Sequence, residues 1–422
     1  MSGRDPRERG RASTPLELLY DLTYVIAFAA AAEQVAHHVA DGHIGPSIGA
    51  YLFAIFSVSW AWMNFTWFAS AYGNDDALFR VATIVQMVGV VILIFGLPPS
   101  FSAAVEGHSP NNALMVIGYI VMRVPLIAMW LRAARQDPDH RRVAIGYAVM
   151  IVIAQTGWVL TAVVALPLSV TIAALIVLAI AEMAAPVVVE GKLGRAPWNA
   201  GHIAERFSLL TIITVGEVVA ATTAAVEALV DERGWSLAAV VIASSGLVMA
   251  ATLWWAYFLI PSRTILEKWP ERTFAWRYAH LPIFGGIAAI GAGLRVAAGA
   301  VREENLSVSQ IALALAVPVG AVILMVFVMW SVLMRSLDLS HVPLLLTALA
   351  PVVAAVAVGL RAGSGGTIDV TRAPDLTALV SVVALVALGL VVEVVGHEMV
   401  GYRHTVRVVE QASATGDAQR VG

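Results

Sequence analysis

The sequence predicts an all-α polytopic membrane protein of about twelve transmembrane helices, arranged as two parallel six-helix repeats. Three observations lead there. Of 422 residues, 59% are hydrophobic and only 13% are charged, about half the charged share of an ordinary soluble domain. The apolar residues gather in runs of the roughly 20 residues that a helix needs to cross a hydrocarbon core about 30 Å thick. Within those runs apolar and polar residues do not alternate, as barrel strands would require. A net charge of −3 offers no basic surface for nucleic acid. The chain has no cysteine, which excludes disulfides, thiolate metal sites, iron–sulfur clusters and cysteine nucleophiles.

The predicted spans are 15–39, 47–71, 77–101, 112–133, 142–164, 166–188, 203–229, 236–260, 275–299, 307–334, 341–360 and 375–400. The opening MSGRDPRERGRAST (1–14) is too polar for a secretory signal, so the first span is expected to direct insertion. Only Pro167 separates the fifth run from the sixth. The expected organisation is a tail over 1–14, a first repeat over 15–188, a linker over 189–202, a second repeat over 203–400 and a tail over 401–422. None of the polar segments is long enough to bury a core, so any activity sits among the helices.

Orientation follows from Lys and Arg, which gather in cytoplasmic loops. With the N-terminus inside, twenty of them fall in inside segments, among them Arg4, Arg7, Arg9, Arg11, Arg80, Arg206, Arg277, Arg403, Arg407 and Arg420. Five, Arg233, Arg295, Arg302, Arg361 and Arg372, are assigned to outside segments, and Arg123 lies within a span. Both termini are therefore expected on the cytoplasmic side.

Self-comparison suggests a duplication. Asp21 precedes Glu33 by twelve residues, and Glu205 precedes Glu217 by the same interval. Trp62 parallels Trp255, FRVA (79–82) parallels WRYA (276–279), and Met129-Trp130 parallels Met329-Trp330 at slowly rising offsets. An even number of spans per half makes such repeats parallel and favours a central site lined by both.

Ionisable groups in hydrocarbon cost about 2.5–3.5 kcal/mol each on insertion scales, so they mark pathways or pairs. Glu17 and Asp21 lie four apart on one helical face, as do Glu33 and His37. Asp21 and Glu33 are separated by about 18 Å of helical rise, which sets one near the inner mouth and the other in the outer third. Glu205 and Glu217 repeat this in the seventh span. Arg80 and Arg277 begin the third and ninth spans at matched positions, where they would neutralise Asp21, Asp75 or Asp76 in one half and Glu205 in the other. Arg123, near Pro125, needs a carboxylate such as Glu33, Glu217 or Glu182, or else an anion. His280, Glu393 and His397 read as core polar groups, and His37, His38 and His43 match no strong metal template. HEMVG (397–401) lacks the second histidine of a zinc motif, and no Walker A, potassium-filter or G-x-S-x-G sequence occurs.

PLELLYDLTYVIAFA (15–29), WFASAYGNDDALFRVATIVQMVGVV (67–91), WLRAARQDPDHRR (130–142) and HIAERFSLLTIITVGEVVAATT (202–223) together resemble the bacterial low temperature requirement protein A family. The resemblance covers most of the first 230 residues in the expected order, and the C-terminal half matches only in hydropathy. Ser70-Ala71-Tyr72 stands where the family often has an Asn-Arg-Tyr-like stretch, and Val215 replaces a Leu before Gly216-Glu217. The resemblance implies a bacterial plasma-membrane protein with motif positions at Glu17, Asp21, Asp75, Asp76, Arg80, His202, Glu205, Arg206 and Glu217. The family name reports a growth phenotype and brings no settled reaction.

The functional expectation is a transporter or permeation pathway for a cation or small solute. Asp21, Glu33, Glu205, Glu217 and Arg123 are the candidates for binding substrate or ion. Glu17, Asp75, Asp76, Arg80, Arg206 and Arg277 are candidates for structural or gating ion pairs. No catalytic residue, metal or cofactor is expected, and the partners are the bilayer and a small solute or ion, with a homodimer left open. A lipid-modifying membrane enzyme is the alternative, and a non-transporting scaffold or sensor is a third.

Overall fold

A computed structural model describes residues 3–8, 10–303, 306–335, 341–363 and 366–401. Arg9, Arg403, Arg407 and Arg420 of the charge count, and most of the expected C-terminal tail, lie outside the described residues. Among the described residues all regular structure is helical: α1 Pro15–Ala40, α2 Ile44–Tyr72, α3 Ala77–Val105, α4 Ala113–Gln136, α5 Arg141–Val163, α6 Leu168–Leu193, α7 Ala200–Arg233, α8 Leu237–Phe258, α9 Ser262–Lys268, α10 Thr273–Glu303, α11 Val308–Met334, α12 His341–Ala362 and α13 Ala373–Gly396. Among the described residues twelve stretches are long and apolar enough to cross a membrane; α8 with α9 forms one, and a short 3₁₀ turn with α10 another. All twelve predicted spans are found. Arg295, assigned by sequence to an outside segment, lies instead within the crossing helix α10.

Local chemistry explains the ends. Pro15 occupies the first turn of α1, behind a Thr14 cap. Asp76 caps α3 through Phe79 N at 2.9 Å, Ser236 caps α8, and Ser307 with Gln310 forms a capping box on α11. Gly194, at φ +95°, ends α6 in a conformation open to glycine. Prolines lie inside α3, α4, α6, α10, α11 and α12, as membrane helices allow where packing in the bundle can re-satisfy the backbone.

The chain divides into two compact units, residues 1–210 and 211–422, with the boundary inside α7. In the first, α1 packs on α2 and α3, and α3, α4, α5 and α6 follow one another in sequence. The α3–α4 seam is close: a Cβ on Gly118 would lie 2.6 Å from the Gly89 carbonyl oxygen, so glycine is needed for these backbones to meet. Tyr20, Tyr24, Trp60, Trp62, Trp67 and Trp130 fill the interior. In the second unit, α10, α11, α12 and α13 pack in succession and α13 also meets α8. Of the proposed repeat pairs, Met129-Trp130 and Met329-Trp330 are buried alike in their own units, whereas Trp62 is buried and Trp255 is 47% exposed.

Candidate functional site

The densest charge in the first unit lies where the first turns of α1 and α7 meet. Asn199 starts α7 by accepting from His202 N at 2.8 Å. Its own backbone N–H donates to Ser70 Oγ at 3.0 Å, which ties this start to the end of α2. Arg11 secures the same region by donating to the carbonyl oxygens of Ser70 and Ala69 at 2.5 and 2.8 Å. Burial, then repulsion from Arg4, pushes the Arg11 guanidinium down to about 10, so it stays charged at neutral pH.

On α1, Glu17 and Asp21 are one turn apart, and on α7 so are His202 and Arg206. The equal spacing makes a ladder. Glu17 Oε2 closes the capping box with Thr14 N at 2.8 Å, leaving Oε1 facing Arg206 Nη1 at 3.0 Å and His202 Nε2 at 3.4 Å. Asp21 Oδ1 accepts from Arg206 Nη2 at 2.5 Å and from Trp62 Nε1 at 2.6 Å. Asp21, His202 and Arg206 are fully buried and Glu17 is 1% exposed. Among the described residues no donor reaches Asp21 Oδ2. Two carboxylates thus share one guanidinium. Glu205, on another face of α7, accepts from Ser13 N at 2.9 Å.

Deeper along α1, the Tyr20 and Tyr24 hydroxyls are 2.8 Å apart and Tyr24 reaches Met122 Sδ at 3.4 Å. The next residue, Arg123, donates to Glu182 Oε1 at 3.1 Å, and Trp158 Nε1 donates to Glu182 Oε2 at 3.1 Å. Of the partners weighed for Arg123, Glu182 is the one the fold supplies. Arg80 pairs with Asp75 at 2.8 Å on the exposed start of α3, not with Asp21. Arg132 forks onto both oxygens of Asp76 at 3.0 and 2.7 Å. These hydrogen bonds from Arg132, with that from Phe79 N, hold Asp76 down at about 2. Arg80's hydrogen bond likewise lowers Asp75.

Glu33 is exposed, near the far end of α1, and His37 beside it approaches Asp41 at 3.7 Å. In the second unit Glu217 is 5% exposed and meets Arg295 at 2.8 Å. A Cβ on Gly291 would lie 2.8 Å from Glu217 Cγ, so glycine makes room for this carboxylate between α7 and α10. Arg277 is fully buried, its guanidinium 5.6 Å from the Tyr278 ring centre. His280 bonds Tyr257 OH at 2.9 Å and the Trp276 carbonyl at 2.8 Å, a satisfied core histidine. His397 meets Glu393 at 2.9 Å. Among the described residues no group of three or more His, Asp or Glu is placed to hold a metal ion.

Among the carboxylates that sequence reasoning passed over, one is held by three donors at a single oxygen. Glu190, near the end of α6, accepts at Oε1 from Trp67 Nε1 (2.9 Å), Tyr147 OH (2.7 Å) and Trp198 Nε1 (3.0 Å). The Arg195 guanidinium stacks 3.6 Å from the Trp198 ring centre. The residue sits two positions past the predicted end of the sixth span, where an acid reads as a solvated helix end. Only the indoles and phenol of three other segments reveal it.

The model of the bacterial low temperature requirement A protein family (LtrA) matches residues 12–392, which include Glu17, Asp21, Arg123, Glu182, Glu190, His202, Arg206, Glu217 and Arg295 but not Arg11, Glu393 or His397. No curated protein and no solved structure matches the chain.

Proposed function

The chain belongs to the bacterial low temperature requirement A family, and from that premise we propose that it moves a cation or small solute across the plasma membrane by way of intramembrane carboxylates. The observation that carries this reading is Asp21. Its Oδ1 accepts from Arg206 and Trp62, while Oδ2 is buried without a donor among the described residues. A buried carboxylate oxygen left without a donor is costly, so Asp21 Oδ2 favours uptake of a proton or cation. His202 Nε2, 3.4 Å from Glu17 Oε1, is a second basic group on the same ladder.

In this reading Asp21 and Glu205 gather or release the ion at one mouth, and Glu33 and Glu217 are further stations along α1 and α7. Arg123, held by Glu182, sets the polarity beyond Tyr24. Both termini lie in the cytoplasm, as the Lys and Arg bias favours.

The test is proton and monovalent-cation flux into liposomes that carry the purified protein, the Asp21→Asn variant and the Glu33→Gln, Glu217→Gln double variant. The wild type conducts, Asp21→Asn loses at least about tenfold, equal to 1.4 kcal/mol, and the double variant is slowed. A folded, inserted wild type that carries no ion overturns the reading. Flux unchanged in Asp21→Asn removes this group from the path.

A further inference from the structure

The α7–α8 hairpin of the second unit carries a lateral groove of about 430 Å³, open along one face. Its floor is apolar, formed by Val219, Val226, Ala243 and Leu247, and its upper end is lined by Glu227, Asp231 and Trp235. Val219 to Asp231 is twelve residues, about 18 Å of helical rise, slightly more than half of a hydrocarbon core about 30 Å thick. The groove therefore matches one leaflet. Trp235 and Leu237 at the hairpin turn are 75% and 80% exposed, and an exposed tryptophan at a span's end marks the headgroup level.

Charge selects the occupant. Glu227 has no ion-pair partner among the described residues, and Asp231 meets only the half-exposed Arg302, at 3.6 Å. Arg233, the nearest cation in sequence, donates to the Val370 carbonyl at 2.7 Å and keeps its charge, and the exposed Glu232 beside it leaves three carboxylates against two arginines at this end. The headgroup end of the groove thus has an excess of carboxylate facing the level at which lipid headgroups lie. An anionic lipid would be repelled there, and a quaternary ammonium has no N–H to donate. The geometry points to a binding site for a phospholipid whose headgroup ends in a primary ammonium. The ammonium donates to Glu227 and Asp231, and one acyl chain lies along Val219, Val226 and Leu247.

The test is native mass spectrometry of the full chain equilibrated in micelles holding equal phosphatidylethanolamine, phosphatidylcholine and phosphatidylglycerol. The wild type retains the ethanolamine lipid about tenfold over the other two, the ratio given by one charge-assisted hydrogen bond. Glu227→Gln with Asp231→Asn keeps lipid but loses the preference. Leu247→Trp fills the groove and loses retention of all three; Leu247 is 63% exposed, so an unchanged unfolding temperature verifies that the fold survives. Equal retention by the wild type, or a preference that survives the carboxamide pair, overturns the site. So does a wild-type dimer that Leu247→Trp converts to monomer, since the groove would then hold a second copy.

Discussion

Asp21 in the first unit and Glu217 in the second are both carboxylates set within long apolar helices, and their surroundings differ. Asp21 shares the fully buried Arg206 with Glu17, and a tryptophan and a histidine complete the group. Glu217 has an arginine of its own, Arg295, which is 29% exposed. One guanidinium that bridges two acids cannot leave either without stranding a charge, whereas a long side chain at an open edge can carry its head toward water. The number of partners and the escape route of the cation, more than the acid itself, decide whether a membrane carboxylate is locked or loose.

The sharpest way to break this comparison is to remove each arginine. Arg206→Met leaves Glu17 and Asp21 buried and unpaired, and should cost about 3–5 kcal/mol, seen as a large fall in the thermal unfolding midpoint in detergent. Arg295→Met strands one carboxylate beside an open edge and should cost about 1–3 kcal/mol. Equal losses would mean that Arg206 does not hold both acids at once. Lysine should not rescue the first site, because a single ammonium cannot span the two carboxylates as the fork does.

Glu190 sharpens the contrast from a third side, as a partly buried carboxylate held by neutral donors. Glu190→Leu leaves the Trp67 and Trp198 indoles and the Tyr147 hydroxyl without their acceptor, for a cost of about 1–3 kcal/mol. Glu190→Gln retains an acceptor oxygen and should cost less. Tryptophan emission gives a local readout, since both indole N–H groups lose the same partner. A Gln variant as damaged as Leu would show that the negative charge, rather than the acceptor, is what the three donors require.

The membrane spans were legible because apolar length is a property of the chain alone, and the twelve helices fall close to their predicted bounds. The ladder was half legible. The four-residue spacing of Glu17 and Asp21 places them on one face, but nothing local says that His202 and Arg206, about 185 residues later, meet that face in register. Arg11 was counted as a loop charge, while its role is to bind the carbonyl oxygens that end α2. Glu33 shows the converse. A carboxylate inside an apolar run suggests an inward face, yet Glu33, in the outer third of α1 as expected, is exposed while Ala31, Ala32, Val35 and Ala36 take the buried face. Hydropathy reports how long a helix is; which face a polar residue takes depends on neighbours far away in sequence.

The smallest expected effect comes from Asp76 and Arg132, whose side chains are 36% and 24% exposed. Solvent screening limits such a pair to about 0.2–1 kcal/mol. Asp76→Asn isolates it, because asparagine caps a helix as well as aspartate does. Arg132's hydrogen bonds depress the folded carboxyl to about 2, below its ordinary 3.8. A depressed folded value means that the contribution is complete above about pH 4 and is lost as pH falls through 2. The difference in unfolding midpoint between wild type and Asp76→Asn should thus be constant near neutral pH and close between pH 4 and 2, with other carboxylates cancelling in the subtraction. Salt divides this pair from the buried group in the same way. Raising ionic strength from 0.1 to 1 M shortens the screening length from about 10 to about 3 Å, which should shrink the Asp76→Asn difference and leave the Arg206→Met loss unchanged. An Arg206 effect as salt-sensitive as that of Asp76→Asn would mean that Glu17 and Asp21 are screened as a surface pair is, and that burial does not set their hold on the guanidinium.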